Sequence, residues 1–400
     1  IAPVTSRLSS IVCLHYLMVM KRKKSYIAVT FLAKLFWNRE FIVSTDAPYP
    51  EIKKSHTMAH VGRPWRDYKP PPSGPVWDVI TAGNTYWMLV AAIDLGVFDA
   101  FDQQENQAVE TLASRLNVSA LHLRHLLDCM VTLGFLDQIG DLYELTETAE
   151  RYLCRDGPAS MASLVRVSPG PLENWINLAS TIRDGKVGAP IEDDIAGTYG
   201  PLVLATYPTQ HRVATRLGYR LGWQRKPSLR ILDLGAGCAP WSIAAMEQSP
   251  NSSAVINDFP EIIGLAQARV EKCGLLARSA FRPGNFHDIL LESEGYDLVV
   301  LGHICRTEGP DLTQKLIGRA VNALKPGGQL VVADYFSDND RKMNAFGVQM
   351  GMTMLANTLR GGTITHQQMH AWLSNQALEM IRVIEPIGFN MVYVGTKINS

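Results

Sequence analysis

The sequence predicts an α/β protein: a parallel, doubly wound sheet preceded by an α-helical part that carries a winged helix. Three observations lead there. Beyond about residue 205, short apolar runs alternate with helical stretches, as in "RILDLGA", "WSIAAMEQS", "SAVINDF", "PEIIGLAQARVEKCG", "YDLVVLG", "DLTQKLIGRAVNAL" and "GGQLVVADYF". Repeated β-then-α units require a parallel sheet with crossover helices. Residues 108–153 read as helix, turn, helix and a short two-stranded wing. The chain has 400 residues, more than one ordinary core, so more than one domain is expected.

The expected division is 1–57, 58–205 and 206–400. The first segment shows no helical or strand period. Its apolar run "IVCLHYLMVM" (11–20) is followed by "KRKK". A secretory signal carries its charges before the apolar core, and a membrane helix needs roughly 20 apolar residues. Residues 1–57 are therefore expected to be an extension outside the working fold; the alternative is a basic, membrane-touching arm. "GRPWRDYKPPPSGP" (62–75) is too rich in Pro and Gly for a regular element. From Trp77 apolar residues recur every three or four, which predicts a helix. Asn117 and Ser119 supply a turn and a helix cap, and Gly134 and Gly140 punctuate the wing at Phe135–Leu136 and Tyr143–Leu145.

Winged helices often read DNA, but the second helix here offers only His122, Arg124 and His125 as cations. Phosphate neutralisation needs several Lys or Arg. Lys+Arg and Asp+Glu both number 38, so no global field draws nucleic acid. The winged helix is read as a packing and dimerisation unit, with no nucleic-acid and no membrane partner. The six cysteines (13, 129, 154, 238, 273, 305) form no C-x-x-C pair. Free thiols in a reducing compartment, and a cytoplasmic protein, are expected.

The chemistry is expected at "ILDLGAGCAPWS" (231–242). A buried strand ends at Asp233; Gly235 and Gly237 follow, and Pro240 sits in a first helical turn. Such glycines let backbone approach a ligand, and a helix N-terminus favours anionic groups. A dinucleotide fingerprint requires a third glycine where Pro240 stands. A tight turn and nothing more remains open for this loop alone. The next strand ends at Asp258, where a carboxylate can accept ribose hydroxyls; Asp258 also suits a helix cap before Pro260. Phe259 follows it, and "RPGNFHD" then offers Asn285 for an adenine edge and Phe286 for stacking. Loop, acid and polar-aromatic turn in this order suit an adenosine ligand without a pyrophosphate.

Together these residues resemble the S-adenosylmethionine-dependent O-methyltransferases typified by plant phenolic and hydroxyindole enzymes and their bacterial relatives. "LDLGAGCAPW" is similar to the family's glycine loop. "INDFPEII" resembles its "FDLPHVI", and "PGNFHDI" its "GGDMFESI", with Asn285 in place of an adenine-binding Asp. "NALKPGGQLVVADYF", "MLANTLRGG" and "MIRVIEPIGFNMVYVGTK" resemble later family segments. "ENWINLASTIRDG" places Trp175 at a family aromatic. The likeness spans about residues 76 to 398. It implies a Rossmann-like class I methyltransferase domain behind a winged-helix dimerisation domain, S-adenosyl-L-methionine as cofactor, a homodimer and a small-molecule acceptor.

The resemblance also implies that a catalytic residue has been exchanged. The family's general base is the His of "VLHDW"; counting from "YDLVVL" and back from "ALKPGG" puts Arg306 there. Its acidic partner in "GGKERT" falls at Ile364. Asp334 remains. A guanidinium stays protonated, so Arg306 cannot be a base. It can bind an anionic acceptor, or form a surface ion pair with Glu308 or Asp311. Within "LGHICRTEGP" (301–310), His303 is the side chain whose ordinary pKa suits base work. Cys305 as nucleophile and a metal held by His303, Cys305 and His287 are the remaining readings. The candidate catalytic residues are His303, Arg306 and Asp334; Trp175, Met350, Met354 and Asn357 are the candidate acceptor-lining residues. The expected activity is methyl transfer to an aromatic or polyketide-like acceptor, most simply on oxygen. The alternative is a hydroxylase or decarboxylase that keeps the cofactor without transferring methyl.

Overall fold

The computed structural model describes residues 73–101, 106–168, 170–387 and 390–399. The expectation for residues 1–57 lies outside them. Helix α1 (Gly74–Leu95) leads into a winged helix built from β1 (Gln107–Ala108), α2 (Val109–Leu116), α3 (Ala120–Thr132), β2 (Leu136–Ile139) and β3 (Leu142–Leu145). The wing is three-stranded, because β1 adds to β3. Asn117 closes α2 in the left-handed conformation (φ 54), as its side chain allows. Ser119 stands before α3, yet its side chain makes no capping bond; the expected cap is absent. Leu123, Leu127 and Met130 of α3 are buried at three- and four-residue spacing against Val97, Phe98, Leu112 and Tyr143. The outer face of α3 is left with His122 and His125, while Arg124 pairs with Glu110 at 3.7 Å.

Short helices between residues 147 and 184 lead to α4 (Gly200–Leu221), which runs unbroken through the expected boundary at 205/206. The sheet part follows as β4 (Arg230–Leu234), α5 (Pro240–Gln248), β5 (Ser253–Asp258), α6 (Pro260–Lys272), β6 (Ser279–Pro283), β7 (Tyr296–Gly302), α7 (Cys305–Ala323), β8 (Leu324–Asp334), α8 (Ala345–Asn357), α9 (His366–Ser374), β9 (Leu378–Ile387) and β10 (Asn390–Lys397). The seven strands lie in the order β6-β5-β4-β7-β8-β10-β9. The first five are parallel, and β10 runs antiparallel to both β8 and β9. The sheet is thus doubly wound but not wholly parallel, since the closing hairpin needs no crossover helix.

Alternation along the strands explains why both faces are buried. Ile231, Leu298, Val300 and Val331 pack on one side with Trp223, Trp241 and Leu217. Leu232, Leu234, Val299, Leu301 and Val332 pack on the other with Leu316, Ile317 and Tyr393. A period of two sends successive residues to opposite layers, and helices cover each. Among the described residues no helix is long and apolar enough to cross a membrane.

Candidate active site

Strand order reverses between β4 and β7, so the carboxyl ends of β4, β5, β7 and β8 form one rim around the switch point. This is where open α/β sheets bind ligands. The loop leaving β4 has positive φ at Gly235 (63°), Gly237 (58°) and Ala239 (56°) before α5 begins. A Cβ on Gly235 would stand 2.8 Å from Ile304 Cγ2 and 3.5 Å from Phe286 Cε1. Three segments therefore converge on one glycine, and only a residue without a Cβ fits.

Asp258 closes β5 with its carboxylate directed at this loop. Its Oδ2 accepts from Gly237 N at 2.6 Å and its Oδ1 from Phe259 N at 2.8 Å. Burial raises its pKa to about 6, against those two bonds. Asp233 is fully buried, and its Oδ2 accepts from Ser242 N at 3.2 Å and Ser242 Oγ at 2.7 Å. It tethers the first turn of α5, while its Oδ1 is buried without a partner. Burial pushes its pKa up to about 7. At the end of β6, Asn285 Oδ1 accepts from His287 N at 2.8 Å, and buried Phe286 lies 6.3 Å from the Phe259 ring.

These residues suit an adenosine ligand. Each carboxylate oxygen of Asp258 has spare acceptor capacity for a ribose hydroxyl after its backbone bond. Phe259 and Phe286 flank the same side, the positive-φ loop presents backbone, and Asp233 Oδ1 offers an unused acceptor.

The rim beyond β7 corrects the sequence reading in three places. His303 has φ 64 and donates its backbone N–H to Ala333 O at 2.8 Å. Its ring is buried 4.8 Å from Tyr335, and neither ring nitrogen has a hydrogen-bond partner. Burial, then the charge of Arg306, lower its pKa to about 4, against the pull of Asp334. His303 is thus a neutral imidazole at ordinary pH, not a base poised at 6.5. Next, Arg306 forms no surface pair with Glu308 or Asp311. Its Nη1 donates to Asp334 Oδ1 at 2.8 Å and to His303 O at 2.8 Å, and its backbone N donates to Asp334 Oδ2 at 3.0 Å. The cause lies in register: Gly302 pairs with Ala333, so the chain leaving β7 crosses the end of β8 and meets its terminal acid. Burial is the largest influence and works against the guanidinium charge, but Asp334, Tyr335 and Tyr199 together outweigh it and the Arg306 pKa is raised. Finally, Glu308 pairs with His287, Nε2 to Oε2 at 2.7 Å, joining the Asn285–Phe286 turn to this rim.

Two readings of this loop lose their basis. Burial drives the Cys305 thiol well above its ordinary range, so no thiolate forms. Among the described residues no group of three or more His, Cys, Asp or Glu is placed to hold a metal.

Across the rim, α8 carries half-buried Met350, buried Met354 and buried Asn357. Asn357 is engaged: its Oδ1 accepts from Asn174 Nδ2 at 3.0 Å and its Nδ2 donates to Thr353 O at 2.9 Å. Asn174 also bridges to Ala189 through O at 2.8 Å and N at 3.1 Å. This amide pair ties the half-buried Trp175 segment to α8. Asn174 escaped the sequence reading, although it directly precedes Trp175. Tyr335, Tyr199 and Glu192 also escaped it, having no local signal at all.

Comparison with known proteins agrees with this geometry. The O-methyltransferase dimerisation domain family matches residues 77–155, and the O-methyltransferase domain family matches residues 225–378. The chain belongs to the S-adenosylmethionine-dependent O-methyltransferases. It is 25% identical over 323 residues to the 3-hydroxy-5-methyl-1-naphthoate 3-O-methyltransferase of Streptomyces sahachiroi, covering 77% of this chain and 91% of that one. It is 25% identical to the tetracenomycin polyketide synthesis 8-O-methyl transferase TcmO of Streptomyces glaucescens, over 77% of this chain and 92% of that one. The fold matches human N-acetylserotonin methyltransferase in complex with S-adenosylmethionine, with TM-score 0.71 and 21% identity over 83% of this chain and 99% of that one. The cofactor of this O-methyltransferase is S-adenosylmethionine, and the residues around Gly235 and Asp258 are those suited to hold it.

Proposed function

We propose that this O-methyltransferase methylates a hydroxyl oxygen of a small aromatic acceptor of the polyketide type, and that the acceptor reacts as its own anion beside Arg306. The observation that carries this reading is the Arg306–Asp334 ion pair on the rim, with Arg306 Nε buried and unpartnered. S-adenosylmethionine supplies an electrophilic methyl group when bound. The chain's residues supply alignment: Asp258 and the Gly235–Gly237 loop fix the cofactor, while Met350 and Met354 offer apolar walls to an aromatic ring. Alignment of this kind is worth up to roughly 7–11 kcal/mol, against the roughly 10²–10⁴-fold of a general base. A phenolate needs no base, and a cation beside it lowers the pKa of the bound phenol. His303 stays a neutral imidazole here and takes no proton from the acceptor. The aromatic class is supported by the naphthoate and tetracenomycin relatives. A homodimer is supported by the dimerisation match and by the exposed apolar face of α1, with Trp77, Val79, Ile80 and Trp87 open to solvent.

Incubation with methyl-labelled S-adenosylmethionine and a panel of naphthols and aminonaphthols tests the reading. Label is expected in an aryl methyl ether, with S-adenosylhomocysteine formed in equal amount. An enzyme that keeps the cofactor but hydroxylates or decarboxylates would leave all label on the cofactor.

A further inference from the structure

Glu192 presents a buried acceptor that nothing in the fold uses. It lies in the single turn Ile191–Asp193. Its Oε1 accepts from Leu359 N at 3.1 Å, while its Oε2 is buried with no hydrogen-bond partner. A bare buried carboxylate oxygen costs on the order of 1–3 kcal/mol or more, so native proteins seldom keep one without a use.

Its position joins it to the rim. Leu359 belongs to the turn 358–362 that follows α8, and Gly362 in the same turn donates its N–H to Arg306 O at 3.0 Å. One short turn therefore holds both Glu192 and Arg306. Tyr199 lies within reach of both charges: burial and then Glu192 raise its phenol pKa, and Arg306 opposes them. Tyr199 also stands four residues before Val203, on the same face of the chain entering α4. Val203 Cγ1 would lie 3.0 Å from a Cβ on Gly237, so this face is turned to the cofactor loop. Arg306 spends its hydrogen bonds through Nη1 and leaves Nε bare. The turn 358–362 thus links an unused donor on Arg306 to an unused acceptor on Glu192, and Tyr199 feels the charge of both.

We infer that Glu192 is a specificity-determining residue whose free oxygen accepts an O–H or N–H carried by the acceptor, remote from the oxygen that is methylated. The inference rests on the aromatic-acceptor reading. The preferred substrate is an aromatic with two polar ends: an anionic oxygen for Arg306 and a second hydroxyl or amino group for Glu192. A site built to pair such a group discriminates strongly against analogues without it, because its own polar atom is then left bare.

Equilibrium titration of the full chain, saturated with S-adenosylhomocysteine, with 2,7-dihydroxynaphthalene and with 2-naphthol tests this. The dihydroxy compound should bind at least about tenfold tighter, the order expected for a hydrogen bond to a charged group. In Glu192→Gln the amide oxygen can keep the Leu359 bond while an N–H replaces the free acceptor. That N–H can still donate to the hydroxyl oxygen, so the preference should shrink there and vanish in Glu192→Leu, with the melting temperature and S-adenosylhomocysteine affinity as controls for folding. Equal binding of the two naphthols by the parent chain overturns the inference without any variant. So does a preference that survives in full in Glu192→Leu. If S-adenosylhomocysteine binds and neither naphthol does, the aromatic reading falls, and this inference falls with it.

Discussion

Arg306→Ala should lower the free energy of unfolding by about 3 kcal/mol, the lower end of the range for breaking a buried ion pair. The reason is what is left behind. Asp334 is fully buried, and its partner guanidinium is mostly so. Without that guanidinium, Asp334 keeps only the backbone N–H groups of residue 306 and Tyr335, at 3.0 and 2.9 Å. Those two bonds are why the lower end of the range applies. Urea unfolding of the parent and the variant measures the difference. The pair Arg306→Met with Asp334→Leu should recover most of the loss, because an apolar pair removes the stranded charge along with its partner. A single variant as stable as the parent would show that the pair is not the buried anchor described. Arg306→His should also lower turnover on the native acceptor. The resemblance implies that it restores the family's residue type with Ile364 in place of the orienting acid, and the guanidinium edge is gone.

The second large effect concerns the cofactor. Asp258→Ala should weaken S-adenosylhomocysteine binding by tenfold or more, since each hydrogen bond to a carboxylate is worth roughly 1.5–3 kcal/mol. The structure adds a second cause: the same carboxylate fixes Gly237 N, so the loop loses an anchor. A pH dependence follows with a definite sign. The Asp258 pKa of about 6 is raised above its ordinary value by burial. In the cofactor role proposed for Asp258 the ionised form would accept both ribose hydroxyls, so affinity should fall as pH drops below about 6. The converse holds for folding: this raised pKa makes the ionised form a cost, so its share of stability is present at low pH and is lost as pH rises towards 6. Calorimetric titration between pH 5 and 8 checks both the variant and the pH trend. Unchanged affinity in a folded Asp258→Ala chain would remove Asp258 from the cofactor site.

The sheet was legible in the sequence because β4, β5, β7 and β8 are apolar runs buried on both faces, each punctuated by turn residues. The glycine loop and Asp258 were legible because their meaning is local: a strand, a turn and a helix start within a few residues. Arg306 and Asp334 were each singled out, but their pairing was not. It spans 28 residues and depends on the register of Gly302 beside Ala333. The His303 pKa was misread for a related reason. A left-handed residue tucks the ring under Tyr335, and no sequence pattern announces that turn at a histidine. Glu192 is joined to Arg306 through the turn after α8, more than 150 residues along the chain from it.

The most direct test of the account is the pH dependence of kcat at saturating S-adenosylmethionine for a series of phenols of graded acidity. The claim is that the acceptor reacts as its own anion and that no enzyme base titrates. The rising limb is therefore expected to move with the acceptor's pKa, shifted down by a common amount from Arg306. A limb fixed near pH 6–7 for every phenol, where an ordinary histidine titrates, would show a working base and contradict the account.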